Sequence, residues 1–293
     1  MEKTLNDNLL FQHFLVVFLD QLGQREVLRK ITEIPTTNEE KKNFREIVKE
    51  SIGRVLKIRD LFKTYFDSAS SYTPNSNLVP PELREEFVAS QKSKLHFYGL
   101  SDAVIIAVPL MNEDDNCRAL NGIYSAFVAT CGIGLLSLSA KIPMRAGLDV
   151  GVATQIGDNE IYGPALERAY YIESNLAEYP RFLVGYELIT YLSWVESQKY
   201  NTRMGLVAKG LAQCCREMII QDTDGRFMLD FLGEKIKEMA GNVINQDMII
   251  SSLEYAKSQY NEYREKQNDK LASRYYRLLR YFQSRKHVWG INV

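Results

Sequence analysis

An aspartate ends an apolar run near the start of the chain. Residues 14–19 are all hydrophobic, Asp20 follows them, and Leu22-Gly23 then forms a turn signal. Such a run predicts a strand buried on both faces. A carboxylate at the end of that strand lies where an open α/β sheet usually binds its ligand. The backbone N–H groups that follow are predicted to face the same place, as where a loop enters a helix and holds phosphate; they belong to Leu22, Gly23, Gln24 and Arg25.

A second aspartate, Asp102, is predicted to join the first. Residues 95–98 predict a short strand, Asp102 stands at the turn that follows, and an apolar strand leaves from Ala103. If this hairpin pairs beside the first strand, Asp20 and Asp102 come together. Two neighbouring carboxylates repel each other unless a cation lies between them. The pair therefore predicts a site for Mg²⁺ or Mn²⁺ carrying a nucleoside triphosphate, although each aspartate alone also suits a turn or a helix cap.

Four motifs, in this order, resemble the class III nucleotidyl cyclase domain. They are Asp20-Gln-Leu-Gly23, Gly99-Leu-Ser-Asp102, Met144-Arg145-Ala-Gly147-Leu-Asp-Val-Gly151 and Ile161-Tyr162-Gly163-Pro-Ala-Leu-Glu167-Arg-Ala-Tyr-Tyr171. The last motif continues to Glu173 and is followed by Tyr179-Pro180-Arg181, which is more closely similar to the bacterial pyrimidine cyclases of the Pycsar anti-phage systems. The resemblance covers roughly residues 10–190.

This resemblance implies an α/β (α+β) chain with a ferredoxin-like cyclase core. The implied reaction converts UTP, or alternatively CTP, to the 3′,5′-cyclic monophosphate and diphosphate. Two Mn²⁺ or Mg²⁺ ions per active site are expected on Asp20, Asp102 and the backbone of Leu22. A homodimer with active sites at the subunit interface is implied, as is anti-phage signalling to a separate effector that senses the cyclic nucleotide.

The resemblance also implies substrate contacts. The backbone around Leu22, Gly23 and Gln24 is expected to hold the β- and γ-phosphates, because glycine permits a sharp turn and a close approach of phosphate. Arg25 either adds a positive charge there or is an exposed arginine at a helix start.

Base recognition is expected from two further residues. Tyr98 stands where purine cyclases of this class carry a base-reading lysine, and Glu160 holds the partner position. A phenol lacks the charge of lysine but can bond a base carbonyl or pack beside a smaller ring. We interpret this change as favouring a pyrimidine over ATP or GTP. The alternatives are that Tyr98 is a strand aromatic without a substrate role, or that the chain is an ATP-specific cyclase with unusual base contacts.

One departure from the family pattern concerns the helix after Gly163. Glu167 and Tyr171 occupy the positions where class III cyclases carry an Asn and Arg pair that faces the α-phosphate, and Glu167 would repel phosphate. Arg168 or Arg181 are candidates for the missing positive charge, with surface or structural roles as alternatives, whereas we expect Arg145 to be structural. The departure leaves open a catalytically inactive, cyclase-like protein that binds nucleotide or another protein.

Composition and pattern set the remaining expectations. The net charge of −1, with 45% hydrophobic and 25% charged residues, is ordinary for a soluble protein and gives no reason to expect nucleic-acid or membrane binding. Residues 123–140 predict a buried helix, and the four cysteines fit a reduced cytoplasmic chain. We divide the chain into a catalytic domain over residues 10–200, with a helical insertion at about 24–92, and a C-terminal hairpin and helical extension over 201–293.

Overall fold

The computed structural model describes residues 11–23, 34–71, 78–100, 102–110, 116–156, 160–240 and 244–291. Its strands are β1 (Phe11–Gln21), β2 (His96–Leu100), β3 (Ala103–Leu110), β4 (Met144–Ile156), β5 (Glu160–Tyr162), β6 (Phe182–Val184), β7 (Ile219–Gln221) and β8 (Phe227–Leu229). Its α-helices are α1 (Asn38–Ser70), α2 (Arg84–Ser90), α3 (Asn116–Ser139), α4 (Pro164–Tyr171), α5 (Tyr186–Ser197), α6 (Arg203–Glu217), α7 (Glu234–Ala240), α8 (Gln246–Glu265) and α9 (Asp269–Trp289). A 3₁₀ turn at Pro81–Leu83 leads into α2, and a π-helical turn at Ile172–Leu176 continues α4.

The strands form one mixed sheet in the order β2-β3-β1-β4-β6-β8-β7, with β5 paired to β4. The pairs β2–β3, β3–β1 and β1–β4 are antiparallel, and β6 runs parallel to β4. With α1 between β1 and β2, and α3 between β3 and β4, this first part is a β-α-β-β-α-β unit. The expectation of an α+β chain is confirmed.

Strand β1 lies at the centre of this unit, and its residues 14–19 are at most 3% exposed. Leu15, Val17 and Leu19 join the larger core cluster, which also contains the buried residues of α1 and α3. Phe14 and Phe18 lie in a second cluster with the alanines of α4. Both faces of β1 are therefore covered, which explains its nearly unbroken hydrophobic sequence.

The helical insertion is represented by α1 and α2, while its residues 24–33 and 72–77 lie outside the described part of the chain. Helix α1 begins with a capping box, in which Thr37 accepts a bond from the Glu40 N–H and the Glu40 carboxylate accepts one from the Thr37 N–H. Its second half packs on the sheet, and the Phe62 ring meets Phe97 of β2 edge-on. The insertion therefore covers the α1 face of the sheet close to the β2–β3 hairpin.

Helix α3 is the apolar helix predicted from residues 123–140. It is long and apolar enough to cross a membrane by length and composition, yet 83% of its most apolar window is buried inside the protein. The core position predicted for this helix is confirmed and is consistent with a soluble protein. Cys117, Cys131, Cys214 and Cys215 are buried and form no disulfide.

The C-terminal segment joins the same sheet and core. Hairpin β7–β8 pairs with β6 through Leu183 and Met228. Two side chains of α9 fix the residues that follow β8: the Tyr281 hydroxyl accepts a bond from the Leu232 N–H at 2.9 Å, and the Trp289 indole donates to the Leu232 carbonyl at 2.9 Å. The segment is thus continuous in packing with the first 200 residues.

Candidate active site at the end of the central strand

Asp20 is the penultimate residue of β1 and is only 5% exposed. It lies directly opposite Arg145 of β4 in the antiparallel ladder. The Arg145 Nη2 to Asp20 Oδ2 distance is 3.3 Å, and the Arg145 Nε is 2.5 Å from the buried Glu173 Oε1. Arg145 thus bridges two carboxylates, in agreement with the structural role expected for it. Asp20 remains at the end of the sheet.

Asp102 reaches the same end of the sheet from the β2–β3 hairpin. The β1–β3 ladder ends at Leu19 opposite Val104, and Asp102 immediately precedes the first residue of β3. The predicted pairing of this hairpin beside β1 is therefore confirmed, and the register puts Asp20 and Asp102 at neighbouring ends of two paired strands. The Asp102 Oδ2 atom is buried and has no hydrogen-bond partner among the residues that the structure describes.

The turn after β1 has the geometry that its glycine predicts. Leu22 donates its N–H to the Pro143 carbonyl at 2.9 Å, which fixes the chain as it leaves the strand. Gly23 has φ +91°, which residues with a side chain rarely adopt. Apart from its two chain neighbours, no described residue has an atom within 4 Å of the position that a Cβ would occupy. Within the described part of the chain, the space above Gly23 is therefore open to a ligand. Gln24 and Arg25 lie outside the described residues.

These groups fit a hard divalent cation that arrives with a phosphate ligand. Within the described ranges, no group of three or more His, Cys, Asp or Glu side chains could hold a metal ion. Mg²⁺ is commonly held by one or two carboxylates, with waters and substrate phosphates completing its octahedron. Buried Asp20 and the Asp102 oxygen that lacks a described partner, at neighbouring strand ends, are compatible with that donor set. The turn at Gly23 leaves room for the phosphates.

The two residues expected to recognise the base lie far apart in the sheet. Tyr98 is 4% exposed, lies opposite Ile105 of β3 and belongs to the cluster around Phe18. Glu160 is exposed at the start of β5, opposite Ile156 of β4. Strands β3, β1 and β4 separate β2 from β5. The structure thus brings Asp20 and Asp102 together but leaves Tyr98 and Glu160 on different sides of β1.

An apolar groove of about 570 Å³ opens on the α4 side of the sheet. It is lined by Phe18, Leu100, Ile105, Tyr162, Gly163, Pro164, Leu166, Glu167 and Tyr170. Tyr162 is 72% exposed and Leu100 is 57% exposed, so that large apolar side chains face solvent along this groove. The charged residue in this lining is Glu167, at the position where the resemblance to class III cyclases predicts an Asn.

Arg168 is held by a buried carboxylate. Its Nε donates to Asp149 Oδ2 at 3.0 Å and its Nη2 donates to the Val150 carbonyl at 2.6 Å. Asp149 also accepts the N–H groups of Val150 and Leu188. Burial raises the pKa of Asp149, and these hydrogen bonds and the Arg168 charge partly oppose that rise. Arg168 therefore ties α4 to β4 and the start of α5.

Arg181 is completely buried and pairs with two aspartates of the β7–β8 turn. It contacts Asp222, its Nη2 lies 2.8 Å from Asp224 Oδ2, and the Tyr179 hydroxyl donates to Asp222 at 2.7 Å. Burial favours a higher pKa for Asp224, but the hydrogen bonds from Arg181 and Arg226 outweigh it and hold that pKa well below its usual range. The Tyr-Pro-Arg motif thus anchors the C-terminal hairpin to the sheet.

Sequence reasoning missed the contact between Glu173 and Arg145 and the π-helical turn that positions it. A signal was present in Gly147, a glycine inside a strand, which often marks a close backbone approach. A Cβ at Gly147 would lie 2.2 Å from the Ala169 carbonyl oxygen and 2.7 Å from the Glu173 nitrogen. The π-helical turn therefore passes directly over β4 at this residue, and Glu173 reaches Arg145 from there.

No protein-family model, curated protein or solved structure matches this chain.

Proposed function

We propose that the protein is a metal-dependent nucleotidyl cyclase that converts UTP to 3′,5′-cyclic UMP and diphosphate, with CTP as the alternative substrate. The observation that carries this proposal is the juxtaposition of two acids at the end of the central sheet. Asp20 is buried there, and the neighbouring Asp102 has a buried oxygen without a hydrogen-bond partner among the described residues. Together with the β-α-β-β-α-β order, this supports the class III cyclase resemblance of the four sequence motifs.

In this proposal, Asp20, Asp102 and the Leu22 backbone hold two Mn²⁺ or Mg²⁺ ions. Bound ions would acidify the 3′-hydroxyl and cover the charge on the departing diphosphate. The ribose 3′ oxygen bonds to the α-phosphorus, the α–β phosphoanhydride bond breaks, and the 3′ proton passes to solvent. Gly23 leaves room for the phosphates, and Arg145 keeps the Asp20 carboxylate oriented through the 3.3 Å contact.

The proposed assembly is a homodimer that covers the apolar groove. Exposed Tyr162 and Leu100 line this groove on the α4 side of the sheet, and burying such side chains against a second copy is favourable. A dimer also offers a way to combine groups that one chain keeps apart, such as Tyr98 and Glu160. The cyclic nucleotide would act in the cytoplasm as an anti-phage second messenger for a separate effector.

A second candidate is a cyclase-like protein that binds nucleotide or a partner without turnover. Glu167 lines the groove, and both arginines considered for the α-phosphate are held by acids: Arg168 by Asp149, and Arg181 by Asp222 and Asp224. Metal-dependent release of diphosphate separates the two candidates, because a binding protein releases none.

The test is incubation of the purified protein with Mn²⁺ and ATP, GTP, CTP or UTP in separate reactions, with products identified by mass. We expect a cyclic pyrimidine nucleotide and an equal amount of diphosphate. A cyclic purine product would retain the fold assignment and contradict the role given to Tyr98. Absence of product with all four nucleotides, in a folded dimer, would favour the binding protein.

A further inference from the structure

One arginine near the candidate site has no acidic partner among the residues that the structure describes. Arg59 lies on α1, and its Nε is buried without a hydrogen-bond partner in the part of the chain that the structure describes. No ion pair joins Arg59 to any described carboxylate, whereas Arg145, Arg168 and Arg181 each bind at least one acid. A partly buried guanidinium without a counterion is costly, because burial removes water that would solvate its charge.

The Arg59 guanidinium lies against the β2–β3 hairpin. Its Nη2 is 2.5 Å from the position that a Cβ at Gly99 would occupy, so that only a glycine leaves this space free without displacing the arginine. Gly99 pairs with Val104, and Leu100 pairs with Ala103 to close the turn that carries Asp102. The two ends of such a turn are less than about 7 Å apart, and the guanidinium therefore stands beside the hairpin end that bears Asp102.

Arg59 and Asp20 approach this end from opposite sides of the sheet. Val104, the partner of Gly99, belongs to the core cluster shared with α1, whereas Phe18 belongs to the cluster shared with α4. Asp20 follows Phe18 by two residues and lies on the same side as it. The turn at Leu22-Gly23 follows Asp20 at this end of the sheet. A phosphate tail that starts at the aspartates and passes over this turn would run toward Arg59.

We infer that Arg59 binds the terminal phosphates of the triphosphate substrate and the diphosphate product. This inference rests on the proposed function. It assigns the phosphate-binding charge to a residue of the helical insertion, which lies outside the four sequence motifs. A guanidinium matches phosphate oxygens with two parallel N–H donors. The contact would supply the counter-charge that Arg59 lacks in the described structure.

The experiment compares Arg59→Gln and Arg59→Lys with the wild-type chain. Arg54→Gln is the matched control, because Arg54 lies on the same helix and pairs with Glu50 instead. We measure KM and kcat for the preferred triphosphate, inhibition by diphosphate, and binding of the nucleoside monophosphate. For Arg59→Gln we expect KM and the diphosphate inhibition constant to rise about tenfold or more, with monophosphate binding unchanged. Arg59→Lys should recover part of the loss, and Arg54→Gln should behave as wild type.

Unchanged KM and diphosphate inhibition in folded Arg59→Gln would overturn the inference. Should Arg59→Gln fail to fold, Gly99→Ala provides a second variant that keeps the charge and displaces it; an unchanged KM there would equally overturn the inference. A wild-type chain that forms no cyclic product contradicts the proposed function alone. In that event, calorimetric binding of inorganic triphosphate with Mn²⁺ still tests Arg59: weaker binding by Arg59→Gln supports the inference, and equal or absent binding rejects it.

Discussion

Arg145 faces Asp20 across the β1–β4 ladder, and their side chains approach to 3.3 Å. The arginine compensates the charge of Asp20 when no cation is bound, and it also pairs with buried Glu173. Asp102 has no corresponding partner for its buried oxygen among the described residues. The two acids proposed as metal ligands therefore differ in what they contribute to the metal-free protein.

The first prediction follows from this difference. Without metal, Asp20→Asn should lower the free energy of unfolding by about 1–3 kcal/mol, because it removes a charged partner of Arg145. Asp102→Asn should change it by less than about 0.5 kcal/mol, or increase it, because it removes repulsion between two acids. Both variants should lose cyclase activity and the rise in Tm that Mn²⁺ produces. Urea unfolding and thermal scans with and without Mn²⁺ measure these effects.

The control for the aspartate variants is Asp60→Asn, on an exposed part of α1. It should match wild type in activity and in its thermal response to Mn²⁺. A full thermal response to Mn²⁺ in both site variants would show that these aspartates are not the metal ligands.

The second prediction concerns Gly147, where β4 meets the π-helical turn. Gly147→Ala should lower the free energy of unfolding by about 1–3 kcal/mol or more, because the new Cβ would overlap backbone atoms of Ala169 and Glu173. Gly53→Ala is the matched control, since no atom lies within 4 Å of its added Cβ in α1. That variant should raise stability by about 0.5–1 kcal/mol. Equal effects of the two substitutions in urea unfolding would contradict the close packing at Gly147.

The third prediction is a pH dependence from Asp224. Its pKa in the folded chain is below the usual value because of Arg181 and Arg226. A depressed pKa stabilises the folded state above the unfolded-state pKa of about 4, and this contribution is lost as the pH falls through the lower folded-state value. Asp224→Asn should therefore be less stable than wild type at pH 7, by about 1 kcal/mol because Asp222 still pairs with Arg181.

The measurement for Asp224 is urea unfolding between pH 3 and pH 8. The difference between wild type and Asp224→Asn should be constant above about pH 5 and should shrink below about pH 4. Glu254→Gln, an exposed change on α8, should show no such difference. If the difference in unfolding free energy between wild type and Asp224→Asn stays constant down to pH 3, the depressed pKa of Asp224 is not its cause.

The fourth prediction tests the groove as a contact between two copies. Tyr162→Asp should shift the protein from dimer to monomer without altering the unfolding of the monomer, because Tyr162 is 72% exposed. Tyr186→Asp, at 75% exposure on α5, is the matched control and should leave the dimer intact. Sedimentation equilibrium measures the mass independently of molecular shape. A Tyr162→Asp dimer as stable as wild type would place the interface elsewhere.

The local elements were predictable where residue pattern and burial agree. Residues 14–19 form a buried strand because both faces of β1 are covered, and the Gly163-Pro164 pair begins a helix as its backbone preferences require. Helix α6 was not predicted, although its stripe of buried residues follows helical spacing.

The partners of the charged side chains were not predictable from the sequence. Arg168 was a candidate for the phosphate site, yet it pairs with Asp149, and Arg145 pairs with Glu173. These partners are distant along the chain and meet only through the packing of α4 on the sheet. Arg59 offered no sequence signal, because its position depends on how α1 lies over Gly99. The motif spacing in the sequence thus identified the two aspartates but not the arginine side chains around them.

The central position of β1 has a consequence for protein synthesis. Among the described strands, β1 is synthesised before its ladder partners, which are Val104 to Leu110 on one side and Met144 to Thr154 on the other. At a translation rate of about 5–20 residues per second, roughly 7–27 seconds pass between the synthesis of β1 and that of its last partner strand. During that time an uncharged apolar segment of high β-propensity is exposed, which favours aggregation. Soluble expression should therefore depend on chaperones or on a low growth temperature until β4 has left the ribosome.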